Sequence, residues 1–318
     1  MTFEQLRIFV AVAERQHVTR AAEALHIAQS AASAAIAALE ARHGVRLFHR
    51  VGRHIELTQE GRLFLDEARA VLARVAAAEL ALAELGGLAR GTLSLQASQT
   101  IAGFWLPRHL VTFRRAYPGI EIRLAIGNTA MVAAAVLAGT AEIGFVEGAV
   151  NEPNLTTTQV ATDRLVAVVA PFHPLAAEPP SDLEGLLTRG EWVLREPGSG
   201  TRSAFETALA KRGLDPGALR VALELPSNES VRAAVEAGAG ATVISASVAA
   251  PSLEAGLLHL LPVELPERSY QVLRHRGRHV GRAAEALLTL IGDAQGRRGA
   301  RERPAGTVPP PTPDSARG

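Results

Sequence analysis

The stretch VTRAAEALHIAQSAASAAIAALE, residues 18–40, decides the fold of the N-terminus. It is rich in alanine, breaks at His26-Ile27 and restarts at Gln29. Thr19 reads as the N-cap of a short helix over residues 20–25, because its hydroxyl can satisfy a free amide of the first turn. The next helix is expected over Gln29–His43, with Ala32, Ile36 and Leu39 forming its inner stripe at i, i+4 and i+7. Alanines at 21, 22 and 32 let the two helices cross closely. A preceding helix over residues 3–14 places Leu6, Phe9, Val10 and Ala13 on one face. Two helices joined by the three residues 26–28, crossing on small side chains, make a helix-turn-helix.

The outward residues of the second helix then acquire chemistry. In this motif its start enters the DNA major groove. Gln29 can bridge the N6/N7 edge of adenine, and Ser30 and Ser33 can bond bases or phosphates. The plain alternative is a set of exposed polar residues on a surface helix. The adjoining segment favours DNA. ARHGVRLFHRVGRHIELTQEG, residues 41–61, carries Arg42, His43, Arg46, His49, Arg50, Arg53 and His54, with no acid from 41 to 55. Residues 45–48 and 54–57 read as two strands joined by a turn at 51–53. Such a wing holds basic side chains over phosphates, whose contacts position a protein while base contacts specify sequence.

The run from Leu6 to Gly61 resembles the winged helix-turn-helix of LysR-type transcriptional regulators. The resemblance rests on the paired alanines 21–22, the Q-S-A-x-S start at Gln29, and the L-E, G-V-x-L-F and L-T-x-x-G landmarks. It implies a DNA-facing set of Thr19, Arg20, Gln29, Ser30, Ser33, Arg42, Arg50, Arg53 and His54. One departure is that Ala34-Ala35 follow Ser33 where the family often carries a long polar side chain. Base reading then falls more heavily on Gln29, Ser30, Ser33 and the wing.

Residues 59–86 read as one helix, about 42 Å long at 1.5 Å per residue. Phe64, Ala68, Val71, Val75, Ala78, Leu82 and Leu85 repeat with heptad spacing, a seam for pairing with a second copy. The alternative is one amphipathic helix packed on its own domain. A two-fold dimer would set two recognition helices in successive major grooves, about 34 Å apart. Gly86-Gly87 reads as a helix stop and hinge.

Beyond residue 91 short β-rich runs alternate with helical patterns, the signature of an α/β domain. Strands are expected at 92–97, 120–127 and 141–148, with helices at 103–117 and up to 138. Ligands in such sheets bind at the carboxyl ends of the strands. Those ends carry Ser98, Gln99 and Thr100; Asn128 and Thr129; Ser199, Thr201 and Arg202; and Ser227 and Asn228. Each opening is also an ordinary N-cap sequence. Four helix N-termini converging on one cleft would hold a small anion through backbone N–H groups and hydroxyls. Arg202, with Arg195, would add charge.

This half resembles the effector-binding domain of the same family, two Rossmann-like lobes similar to periplasmic binding proteins. Residues 127–150, 169–176 and 192–202 look like the CysL-like branch, linked with sulfur metabolism and inorganic sulfur oxyanions. The implied pocket is Ser98, Gln99, Thr100, Asn128, Thr129, Glu147, Ser199, Thr201 and Arg202. Glu147 cuts against a purely anionic ligand, since a buried carboxylate repels an oxyanion unless paired with a cation.

The expected organisation is a winged helix-turn-helix over 1–58, a dimerisation helix and hinge over 59–90, and an effector domain over 91–295. Its first lobe takes 91–161 and 267–295, its second 162–266, and a Pro-, Gly- and Arg-rich disordered tail comes last at 296–318. The expected partners are double-stranded promoter DNA, a small-molecule effector, further copies of the chain as homodimer and homotetramer, and RNA polymerase. No cofactor or metal is expected.

Composition is consistent with this. The 318 residues carry a formal net charge of +1, so basic partner surfaces must be local. There are no cysteines, which excludes disulfides, thiolate catalysis and Cys-based metal sites. No signal peptide and no run of 18 apolar residues is legible, so a cytoplasmic protein is expected. No G-x-S-x-G elbow or phosphate-loop pattern appears, and GAGATVIS, residues 238–245, reads as a helix end before a buried strand rather than a dinucleotide fingerprint. His275 and His279 stand i, i+4 in a basic loop interrupted by Gly277, a poor metal pair. The chain reads as a regulator and not an enzyme.

Overall fold

A computed structural model describes residues 1–51, 54–84 and 91–301. Arg53, Leu85 and the Gly86-Gly87 hinge lie outside the described residues, as do the side chains of His54 and Leu82.

The N-terminal domain opens with helix α1 (Phe3–Arg15), α2 (Val18–Ala24) and α3 (Gln29–His43). Thr2 and Gln5 form a reciprocal capping box that starts α1. The N-cap of α2 is His17, not Thr19: the His17 side chain accepts from the amide of Arg20, and Thr19 lies inside the helix, exposed. The bounds of α3 are those read from the sequence, and Ala32, Ile36 and Leu39 are its buried residues. Ala21, Ala22 and Ala32 are almost fully buried at the crossing. Any larger side chain there would force the helices apart.

The wing pairs β1 (Phe48–Val51) with β2 (His54–Leu57), antiparallel, Phe48 opposite Leu57. The first strand therefore starts at Phe48 and not at 45. Residues 45–47 are engaged otherwise, with Val45 N–H closing the end of α3 on the Glu40 carbonyl. Helix α4 (Gln59–Glu84) follows. Its first turns complete the N-terminal core, where the Phe9 ring meets Phe64 at 4.9 Å and Phe48 at 5.5 Å.

In lobe 1, β3 (Gly91–Ser98) lies parallel to both β4 (Ile120–Gly127) and β5 (Ile143–Glu147). Between them run a π-helical turn (Ile101–Trp105) continuing into α5 (Leu106–Ala116), and α6 (Thr129–Ala138). The strand β6 (Leu155–Val169) is shared. Its first part pairs with β11 (Glu267–His275), which also flanks β5. Its last part pairs with β9 (Thr242–Ser245) and β10 (His259–Leu260) in lobe 2. The parallel sheet expected from the sequence is thus mixed, because the two segments crossing between lobes enter antiparallel. Lobe 2 adds α7 (Pro174–Ala177), α8 (Leu183–Arg189), β7 (Trp192–Arg195), α9 (Gly200–Ala210), β8 (Val221–Leu225), α10 (Asn228–Glu236) and α11 (Ala246–Glu254). β7 and β8 are parallel.

Each lobe has its own core. Leu93, Phe113, Phe145 and Leu287 anchor the first; Trp192, Phe205 and Val243 anchor the second. Helix α12 (Arg282–Arg301) closes lobe 1 and runs through residues 296–301. Residues 296–301, expected in the tail, are thus helical, since Ala283, Leu287 and Ile291 give the helix a buried stripe from which it extends; the rest of the expected tail, 302–318, lies outside the described residues.

Candidate DNA interface and effector cleft

On the N-terminal domain, α3 presents Gln29 and Ser30 fully to solvent and Ser33 half-buried, one helical turn below Gln29. The Gln29 amide nitrogen donates to the Ser33 hydroxyl at 2.9 Å. Arg20, Arg42 and Arg50 are exposed. Between α3 and the wing lies a groove of about 520 Å³ lined by Ser33, Ala37, Glu40, His49, Arg50 and Ile55, among others. The helix start that can read bases and the strand that can hold phosphates therefore share one face.

The seam expected along α4 does not form a single outward stripe. Ala68 is buried in the chain's own N-terminal core, and Phe64 packs on Phe9 in that core. Ala68 is therefore not free for a second copy, while Phe64 is half-buried and also lines an open groove beside Leu63. The domain needs an apolar lid over Phe9, and the first turns of α4 are the nearest. Val71 and Ala78 are exposed and Val75 is half-buried. Leu63, which heptad spacing passes over, is 68% exposed.

Between the two lobes the sequence-derived residues do come together. Ser98, Thr100, Thr129, Glu147, Ser199 and Thr201 are all buried there. Ser98 donates to a Glu147 carboxylate oxygen, and Thr129 donates to the Glu147 carbonyl at 2.6 Å. Gln99 spans the lobes, donating to the Pro226 carbonyl at 2.9 Å and accepting from the Asn228 amide at 3.0 Å. Asn228 also donates to Thr100 at 3.0 Å.

Arg202 is committed elsewhere: its half-buried guanidinium pairs with Glu206 at 2.8 Å and Glu224 at 2.6 Å, both in lobe 2. Burial pulls its pKa down, but those two carboxylate bonds outweigh it and the net direction is up. The charges in the cleft come instead from residues that sequence reading passed over or mentioned only in passing. Arg268, on β11, bonds Thr201 at 2.9 Å and meets Asp163 at 2.8 Å. It stands 3.8 Å from the second Glu147 oxygen, the one that Ser98 does not bond. The Nη2 of Arg268 approaches Asp163 off the hydrogen-bonding angle. Arg195 bonds Asn228 at 2.7 Å and Glu196 at 2.8 Å. Arg268 and Asp163 could not be found by motif, because β11 and β6 are far apart in the chain and meet only through strand pairing.

Glu196 crosses the cleft by accepting from Asn128 at 3.1 Å. Burial raises its carboxyl, but the hydrogen bonds from Arg195 and Asn128 win and hold it below the ordinary range. Burial also pushes the Tyr270 hydroxyl well up, helped by the nearby Asp163 charge, so Tyr270 stays protonated. The set of Glu147, Asp163 and Glu196 against Arg195 and Arg268 holds one negative charge in excess. The side chains at the helix openings serve their own helices first. Asn128, Ser199 and Ser227 each cap their own helix, accepting from Met131, Arg202 and Ser230 amides.

Comparison with known proteins bears on both sites. Residues 3–62 match the bacterial regulatory helix-turn-helix protein of the lysR family, and residues 86–296 match the LysR substrate binding domain. The chain belongs to the LysR family of transcriptional regulators. It is 34% identical over 290 residues to the uncharacterized HTH-type transcriptional regulator YeiE of Escherichia coli K12, covering 91% of this chain and 96% of that one. It is 32% identical over 298 residues to the regulator CbbR of Rhodospirillum rubrum, covering 90% and 94%. The full-length CbnR structure in complex with its target DNA has the same fold, with a TM-score of 0.64 at 24% identity over 93% of this chain and 99% of that one. This LysR regulator is therefore a DNA-binding protein with an effector domain, not an enzyme. The CysL-like, sulfur-metabolism placement is not supported: the matching relatives are YeiE and RuBisCO regulators. Among the described residues no helix is long and apolar enough to cross a membrane.

Proposed function

We propose that this regulator binds promoter DNA as a homodimer, read by Gln29, Ser30 and Ser33 and gripped by Arg42, Arg50, Arg53 and His54. Thr19 and Arg20 would approach the backbone from the start of α2. The observation that carries this reading is the single exposed face shared by the α3 start and the basic wing. Dimerisation falls to Leu63, Val71, Val75 and Ala78 of α4, continued by the heptad positions Leu82 and Leu85 outside the described side chains, with tetramers built from pairs of dimers. The cell compartment is the cytoplasm, and RNA polymerase is the downstream partner.

The effector is a small polar molecule held between the lobes by Ser98, Gln99, Thr100, Asn128, Thr129, Glu147, Ser199 and Thr201, with Arg268 and Arg195 replacing Arg202. A multiply charged anion fits poorly against the excess carboxylate. Glu147 calls for a ligand that donates a hydrogen bond, and Arg268 for one that accepts.

The test is fluorescence anisotropy on an operator fragment selected in vitro by the protein, over a range of salt. Affinity should fall steeply with salt, about 0.9 in log–log slope per phosphate neutralised. A Gln29→Ala, Ser33→Ala double variant should keep that slope and lose discrimination between operator and mismatched DNA by about 10–100-fold, from about 1–3 kcal/mol per base contact. Undiminished discrimination would refute the assignment of base reading to α3.

A further inference from the structure

We infer that Glu40 is a positioning residue that locks the wing to the recognition helix, so that phosphate contacts by the wing and base contacts by α3 are set in one register. The inference rests on the DNA-binding reading above. Glu40 lies near the C-terminal end of α3 and its side chain is only 12% exposed. One carboxylate oxygen accepts from two successive backbone amides, Leu47 at 2.7 Å and Phe48 at 3.2 Å. Those amides stand at the foot of β1, whose pairing begins at Phe48 opposite Leu57. The other oxygen faces Arg46 at 3.5 Å.

The opposite foot is held from α4. Thr58 donates its hydroxyl to the Arg46 carbonyl at 2.7 Å and its amide to the Leu47 carbonyl at 3.0 Å, and the same hydroxyl caps Gly61 at 2.9 Å. A methyl group at Gly61 would collide with the Leu47 carbonyl oxygen, so the approach of α4 to the wing admits only glycine. Residues 46–48 are thus gripped between the end of the recognition helix and the start of the linker helix. Bonds from amides to a charged acceptor are stronger than neutral ones. Without the carboxylate, two amides at a half-buried site lose their partner and the wing loses its fixed angle to α3.

Charge alone predicts the opposite outcome. Removing an acid beside a DNA-facing surface should tighten binding, whereas the clamp requires that its loss weaken binding. Glu40→Ala and Glu40→Gln remove the same charge, but only Gln keeps an oxygen that can accept. The experiment is anisotropy on the in vitro-selected operator over a salt series, with thermal melting as a check on folding. Glu40→Ala should bind about 10–100-fold more weakly, with a salt slope shallower by about one for each phosphate the wing no longer reaches, and with operator-to-mismatch discrimination retained. Glu40→Gln should restore the parent slope and an affinity within about threefold. Glu40→Ala at parent or tighter affinity, weaker binding with an unchanged slope, or no rescue by Gln overturns the clamp. Should Glu40→Ala fail to fold, Thr58→Ala releases the other foot and must itself flatten the slope; an unchanged slope there also overturns it. A parent protein that shows no salt-dependent operator binding would instead refute the DNA-binding reading.

Discussion

Gly200 of lobe 2 packs closely against lobe 1. A side-chain methyl there would meet the Glu147 carbonyl oxygen and the Thr129 hydroxyl. Gly200→Ala should therefore hold the lobes apart while leaving each lobe's core intact. The expected result is at least tenfold weaker effector binding, about 1.4 kcal/mol, measured by calorimetry with any compound that stabilises the parent. Glu196 makes a second prediction at this scale. Its carboxyl sits lower in the folded protein than in the unfolded chain. Its bonds to Arg195 and Asn128 thus contribute stability above the ordinary carboxylate range, and that contribution is lost as pH falls through the folded value. Glu196→Gln should be less stable than the parent near neutrality. The gap in melting temperature should begin to narrow near about pH 4, the ordinary carboxylate range, and close only below it.

The helix α4 divides its length between two tasks. Its first turns belong to the chain's own N-terminal core, through Phe64 and Ala68, and its outward side offers Leu63, Val71 and Ala78. The two sides should respond differently. Phe64→Ala removes a partner of the Phe9 ring and should cost about 2–4 kcal/mol of domain stability, read by denaturant melts of residues 1–84 within the full chain. A Val71→Asp substitution leaves that core untouched and should shift the protein toward monomer. Sedimentation at micromolar concentration checks it, and a dimer unaffected by Val71→Asp would move the interface elsewhere. Heptad spacing put Phe64, Ala68, Val71 and Ala78 on one seam because 3.5 and 3.6 residues per turn drift apart by only about 20° per heptad. Only packing shows which stripe the N-terminal domain claims first.

Across the whole molecule, α6 links the effector cleft to the linker helix. Asn128 at its N-terminal end binds Glu196 of lobe 2. At its C-terminal end Arg278 donates to the Val136 and Leu137 carbonyls, both at 2.7 Å. The neighbouring Gly277 carbonyl accepts from Arg74 of α4 at 3.2 Å. Ligand and DNA must alter each other's affinity by the same factor, and this rigid route is a place where that coupling can be cut. Arg74→Ala should leave DNA affinity without effector, and effector affinity without DNA, within about threefold. It should reduce their coupling by about 0.5–2 kcal/mol. Paired titrations, each with and without the other ligand, measure it.

The sequence by itself determined the helix-turn-helix, the bounds of α3, its buried stripe and the two-lobe effector domain, because these arise from local periodicity, capping and a dense set of landmarks. It also brought Ser98, Thr100, Thr129, Glu147, Ser199 and Thr201 to one cleft, since strand ends in an α/β sheet gather on one side. The tertiary structure alone decided the charges of that cleft. Arg202 lies next to the right helix start, yet Glu206 and Glu224 take up its guanidinium within lobe 2, while Arg268 and Asp163 arrive from strands more than a hundred residues apart. Where a side chain's charge is neutralised depends on which partner the fold carries to it, and no spacing along the chain encodes that distance.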